Sequence, residues 1–397
     1  NDNVTNDNLT NLNQNSNNIN IQSTNTLSEN SNTSSSIYVS TNGSDTTGDG
    51  GINNPYNSIS YAVNKSTSGS TIYLSSGEYS GSNNSCIYIN KKLTISAQNS
   101  NTSTIINGAG FDDSIFTVNK TGKLTLTGLT LINGKSDEGG AIKSYSGSVI
   151  NIDNCTFMNN QASRGGFMYN LGTLTLTNSY IINNTAEELG GGIKNWGVAS
   201  LSSDVFIGNL AKYSGGAIYN FYFPITINNC SFYNNSAYYV GGSLHNVGTL
   251  ILTNSLINGS KSLRSDGGAI CNDIYGDDTG NCCITNTVIV NSTALKNGGA
   301  IFNNEVQRLN LTNSSIISCS AKNGGAIYNI ADLLLVNNTM KDCSATNDGD
   351  YIYNLGNIIA TPTKNISITG AGFIINIIYT DTTMEYWNLS GCLFINK

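Results

Sequence analysis

Apolar residues along this chain recur in short alternating runs rather than in helical stripes, and from about residue 139 the runs repeat with a fixed spacing. Aligned on the first glycine of a Gly-Gly-Ala-Ile-Tyr-Asn block, the copies begin at Gly139, Gly165, Gly190, Gly215, Gly241, Gly267, Gly298, Gly324 and, in degenerate form, Gly349. The steps are 26, 25, 25, 26, 26, 31, 26 and 25 residues. After each block comes a run such as Leu174-Thr175-Leu176-Thr177 or Ile225-Thr226-Ile227-Asn228, in which apolar residues alternate with Thr or Asn. A period of two places one face inward and the other outward. Later in each repeat a third apolar column runs Phe157, Ile181, Phe206, Phe232, Ile257, Ile289, Ile316, Met340.

Three short segments in about 25 residues cannot bury their apolar faces alone, so each must stack on the next copy. The pattern predicts an all-β fold, a right-handed single-stranded parallel β-helix, rising by roughly 4.8 Å per coil and on the order of 60 Å long. Ile218, Leu244 and Ile270 are expected to lie one above another inside it. A β-sandwich would not hold one residue type at one phase of so constant a period. The paired glycines mark a bend that a Cβ would obstruct, and the Asn that closes each block predicts a ladder of side-chain amides.

The rest of the chain divides around this body. Residues 1–36 are nearly all Asn, Ser, Thr and Asp and are expected to form a disordered arm. Residues 37–80 read as a cap with the first strands, in which Ile59, Ala62 and Val63 give a short helix with one apolar face to plug the open end. Residues 81–397 read as the β-helix, clearest over 139–354.

Composition favours strands and turns over helices. Only 11% of residues are charged, and Asn, Ser and Thr occupy surface places that Lys and Glu usually fill. A net charge of −7 offers no footprint for nucleic acid or an anionic membrane. The nine cysteines include no CxxC pair, and the single histidine, His245, is distant in sequence from any cysteine cluster, so no zinc site is expected. No apolar stretch approaches the roughly 20 residues of a spanning helix; an anchor is expected outside this chain, which is read as secreted.

The Gly-Gly-Ala-Ile block, followed by Phe157-x-x-Asn160, Phe206-x-x-Asn209 and Phe232-x-x-Asn235, resembles the repeats of chlamydial polymorphic outer-membrane proteins. The excess of Asn and Thr is similar to that of adhesin-like proteins of methanogenic archaea. Residues 37–79, from Tyr38-Val39-Ser40 to Gly77-Glu78-Tyr79, resemble the start of many pectate-lyase-like β-helices. The resemblance implies a β-helix displayed on the cell surface with an adhesive role, toward a glycan or protein of another cell or a cell-wall polymer. It departs from the outer-membrane family in showing no C-terminal barrel strands.

Candidate chemistry is sparse. Parallel β-helices also carry polysaccharide lyases and glycosidases, which need two facing carboxylates, or an acid cluster for calcium with a Lys or Arg base. Glu138 and Glu188 share a phase with Arg164 between them, which reads as an ion ladder. Asp273, Asp277 and Asp278 in the 31-residue repeat are weak candidates for calcium, as are Asp45 and Asp49, and no cofactor is expected. His245 falls at an outward position and is read as a surface residue. On this count the chain is expected not to be an enzyme. The aromatic residues Trp196, Phe221 and Tyr222, with Tyr213, Tyr238 and Tyr239, form the candidate ligand-binding set, since rings one coil apart offer flat faces to sugars or a protein. Cys319 and Cys343, which take the place of Asn160, Asn184, Asn209 and Asn235, are expected to stack as reduced thiols.

Overall fold

The computed structural model describes residues 35–99, 102–273, 281–305 and 308–360, and beyond these the backbone of Ser367–Thr369, Phe373–Ile377, Asn388–Ser390 and Leu393–Ile395. Most of the segment expected as an arm, and both Asp277 and Asp278, lie outside the described residues.

The chain winds as a right-handed parallel β-helix. One coil runs Thr173–Thr177 in the first sheet, Tyr180–Ile182 in the second, Thr185–Leu189 in the third and Ile193–Asn195 in the fourth. The chain then re-enters the first sheet at Val198–Ser202. Among the described residues the sheets hold 15, 11, 9 and 13 strands, and strands at roughly 4.8 Å spacing give the first sheet a length of about 67 Å. Ile218 pairs with Leu244 and Leu244 with Ile270 in parallel register, as the repeat requires. The Phe157-to-Met340 column lines the second sheet, and Leu174, Leu176 and their counterparts line the first. These columns form one continuous buried core.

The sequence pattern indicates three strands per coil, and the structure has four. The third sheet was not legible because its strands are as short as Leu210–Ala211 and turn inward little more than an alanine, such as Ala186, Ala211 or Ala237.

Single left-handed residues make the corners, and they account for much of the asparagine. Asn178, Asn229, Asn254 and Asn286 turn the chain from the first sheet to the second, and Asn159, Asn183 and Asn234 from the second to the third, all with φ near +55°. The bend into the fourth sheet is tighter. A Cβ on Gly165, at φ +68°, would come 2.1 Å from the Met168 carbonyl oxygen, and one on Gly166 would come 2.2 Å from that of Gly191 in the next coil. Both glycines are therefore required, one for its dihedral and one for coil-to-coil contact.

Three polar columns run through the interior. From Asn170 to Asn354 each side-chain amide donates to the next coil's Asn, at 2.7 to 2.9 Å. Asn160, Asn184, Asn209 and Asn235 form a second ladder, which continues through Ser260 and Ser292 to Cys319 and Cys343. Both thiols are buried and free, and the pair pushes the Cys319 thiol far up. The third column runs Ser179, Asp204, Cys230, Ser255, Thr287, Ser314, Asn338, each side chain accepting from the backbone N–H of the residue before it in the column.

The short helix α1, Ile59–Lys65, buries Ile59, Ala62 and Val63 against the strands Ser36–Val39 and Ile87–Ile89. Asp45 is consumed here: its carboxylate accepts from the backbone N–H groups of Asn57 and Ser58 and from the Ser58 hydroxyl, whose oxygen caps the helix. Asp49 accepts from Gly51 in a local turn.

Candidate functional site

The outward column of the fourth sheet runs Lys143, Tyr169, Lys194, Tyr219, His245, Cys271, Phe302, Tyr328, Tyr353 in parallel register. Although it faces away from the core, much of it is sealed: Tyr169, Lys194, His245, Cys271 and Phe302 are all buried. Long side chains from either side close over it.

On the side of the third sheet, Arg164 bridges Glu138 and Glu188 at 3.4 and 3.7 Å, and Lys143 reaches Glu138 at 2.9 Å. The acids are thus ion-paired through a cation. On the other side, the residues after the ladder asparagines are Trp196 and Phe221, whose rings meet edge to face at 5.0 Å. Lys194 lies beneath them, its Nζ 5.0, 4.6 and 4.9 Å from the ring centres of Trp196, Tyr219 and Phe221. Burial, reinforced by Arg164, lowers this lysine to about 7, while Glu138 opposes the shift. The rings favour the ammonium form as well.

The structure joins the first aromatic group into one patch. Phe221 touches Tyr222 at 6.5 Å and Tyr222 touches Phe223 at 5.3 Å, and Trp196, Tyr222 and Phe223 are exposed. Trp196 and Phe223 edge a concavity of about 380 Å³ whose floor is backbone at Gly147, Gly172 and Gly197 in successive coils. The sequence search passed over Phe223 as a site residue; its adjacency to Phe221 and Tyr222 was the available signal. Tyr213 and Tyr239 lie one coil apart with ring centres 4.9 Å apart and planes tilted by 43°, both exposed, next to the third sheet. Tyr238 faces Arg264, 5.2 Å from its ring centre, and is only half-buried. The six candidate aromatics therefore fall into two groups on different stretches of the coil.

A separate concavity of about 350 Å³ on the third sheet gathers Asp112, Asp137, Glu187 and Lys135 with Gln161 and Ser163. Lys135 pairs with Asp112 at 2.7 Å, and Glu187 is held at 2.7 Å by Lys212. The sequence does not reveal this group because its members come from four successive coils and share no motif.

His245, read from the sequence as a surface residue, is buried edge-on against Tyr219 at 4.9 Å. Its Nε2 faces the Asp273 carboxylate at 3.4 Å, and it is paired in register with Cys271. Burial pushes the Cys271 thiol well up.

The architecture defines the chain as an all-β solenoid, a right-handed parallel β-helix. The Chlamydia polymorphic membrane protein repeat matches residues 205–220, which span one second-to-fourth-sheet passage including Gly215-Gly216-Ala217-Ile218. Among solved structures, the chain is similar to pectate lyase Pel9A, at 16% identity and a TM-score of 0.48, covering 72% of this chain and 76% of that one. It is also similar to a rhamnogalacturonan lyase, at 13% identity and a TM-score of 0.43, covering 90% and 87%. No curated protein matches it. Both structures are enzymes built on this fold, so the expectation that the chain is not an enzyme is corrected: the scaffold gives no ground for that exclusion. No helix among the described residues is long and apolar enough to cross a membrane.

Proposed function

We propose that the chain is a surface-displayed, adhesin-like β-helix that binds an extended glycan along its flank. The observation that carries this reading is the aromatic run in which Trp196, Tyr222 and Phe223 are exposed and Phe221 is half-buried, beside a groove floored by glycine backbone. Flat rings with an open polar floor suit sugar rings, whose C–H faces stack on aromatics while their hydroxyls reach backbone groups. The repeat match at residues 205–220 supports display at a cell surface. The test is a glycan array followed by titration calorimetry on the purified chain. Trp196→Ala should weaken binding about tenfold or more and leave the far-ultraviolet circular dichroism unchanged. Binding indifferent to Trp196 and Tyr222 would sink the reading.

A second reading, polysaccharide cleavage, is favoured by the concavity holding Asp112, Asp137, Glu187 and Lys135. Glycoside hydrolysis needs two carboxylates facing one cleft, and Asp112, Asp137 and Glu187 all line this one. Release of reducing ends from a polysaccharide panel, abolished by Asp137→Asn or Glu187→Gln, would establish it; activity unaffected by either would remove it.

A further inference from the structure

His245, Cys271 and Asp273 are brought together by the winding of the chain and by nothing in their linear spacing. His245 and Cys271 face each other across adjacent strands of the fourth sheet, and Asp273 follows two residues later. Their donor atoms all lie within 4.8 Å of one another. The 3.4 Å between His245 Nε2 and Asp273 Oδ2 is close to the separation of two ligands on a tetrahedral ion, about 3.3 Å for bonds of about 2.0 Å.

Two further observations point to a ligand. The side chain of His245 is 8% exposed, and neither ring nitrogen has a hydrogen-bond partner. An imidazole buried in that state costs about 1 to 3 kcal/mol for each polar group left unpaired. Asp273 is already oriented: its Oδ1 accepts from the Asn304 side chain at 2.6 Å, and its Oδ2 faces the histidine. A carboxylate held by an outer hydrogen bond is the usual support of a metal ligand.

We propose that His245, Cys271 and Asp273 bind a divalent transition-metal ion of the zinc class, through nitrogen, sulfur and oxygen. Three protein ligands leave a fourth position for water. On binding, the Cys271 thiol gives its proton to solvent and the thiolate bonds the cation, so no oxidant or reductant is involved. The ion supplies the positive charge that this buried sulfur lacks, and it satisfies His245 Nε2. Mixed nitrogen, sulfur and oxygen donors suit zinc and cobalt, whereas calcium takes oxygen ligands. This site is independent of the aromatic flank.

The test uses the full chain, stripped with a chelator and shown to be folded by circular dichroism, then titrated with Co²⁺ alone. One equivalent should bind with a thiolate-to-cobalt charge-transfer band in the near ultraviolet, and Zn²⁺ should displace it. Cys271→Ser should abolish the band, and His245→Gln should weaken Co²⁺ binding by at least about tenfold. Asp273→Asn, at a more exposed position, serves if the buried variants do not fold, and should weaken binding similarly. Absence of the band, a band that survives Cys271→Ser, or a Co²⁺ affinity unchanged in Asp273→Asn overturns the proposal.

Discussion

The side-chain amide of Asn195 donates to the side-chain oxygen of Asn220 at 2.8 Å, one coil away, with both residues closed off from solvent. Asn220 passes the pattern on to Asn246 at 2.9 Å. Replacing Asn220 with Leu would strand a donor on Asn195 and an acceptor on Asn246. The expected loss is about 3 kcal/mol, read from the urea midpoint, with amide exchange accelerated first in the flanking coils. A variant as stable as the parent would deny the ladder a structural role.

Two glycines separate dihedral strain from steric conflict. Gly69 adopts φ +95° with open space around it, so Gly69→Ala should cost about 1 to 2 kcal/mol. Gly165 combines φ +68° with a carbonyl oxygen 2.1 Å from the site of the Cβ, so Gly165→Ala should cost more than about 4 kcal/mol or prevent folding. Thermal melts of the two variants should therefore differ widely.

Asp204 is buried in a column of neutral residues, and burial raises its carboxyl to about 7. A folded value above the unfolded one means that its contribution is intact below about pH 4 and is lost as pH rises through about 7. Asn occupies the same column at Asn338, where it accepts from Ser314 and donates to the Leu311 carbonyl. Asp204→Asn should match the parent near pH 3.5 and exceed it by about 2 kcal/mol at pH 8. Urea melts at the two pH values check this, and a difference independent of pH would contradict it.

Burial sorts the thiols by reactivity. Cys155 and Cys230 are sealed and pushed up to about 12, and Cys282 lies fully inside the first sheet. Cys86 and Cys283 are the half-exposed members among the described residues. Brief alkylation of the native chain, read by peptide mass, should label these two well before Cys155, Cys230 and Cys282.

Most of the fold was legible because one period fixes both register and burial: once Ile218 aligns with Leu244, every column follows. The cap was legible too, through the spacing of Ile59, Ala62 and Val63. The third sheet escaped because an alanine such as Ala211 marks an inward position only faintly. The aromatic patch could be seen in part, since Trp196 and Phe221 hold one phase of the repeat. His245 could not. An outward position normally faces water, and only the closing side chains around the fourth sheet bury it. Its approach to Cys271 spans a full coil, a proximity that linear spacing of metal ligands does not register.

The asparagine ladder also has a direction. Every amide from Asn170 to Asn329 donates toward higher residue numbers, so the bond dipoles add head to tail along the axis instead of cancelling. The sequence of coils is thereby vectorial, like a stack of magnets with one sense. A coil duplicated in the same sense finds a donor in the coil before it and an acceptor in the coil after it, whereas one entering reversed would oppose like poles. Growth or loss of whole repeats by duplication preserves that sense automatically, which gives this architecture a route to changing length without redesigning its interior.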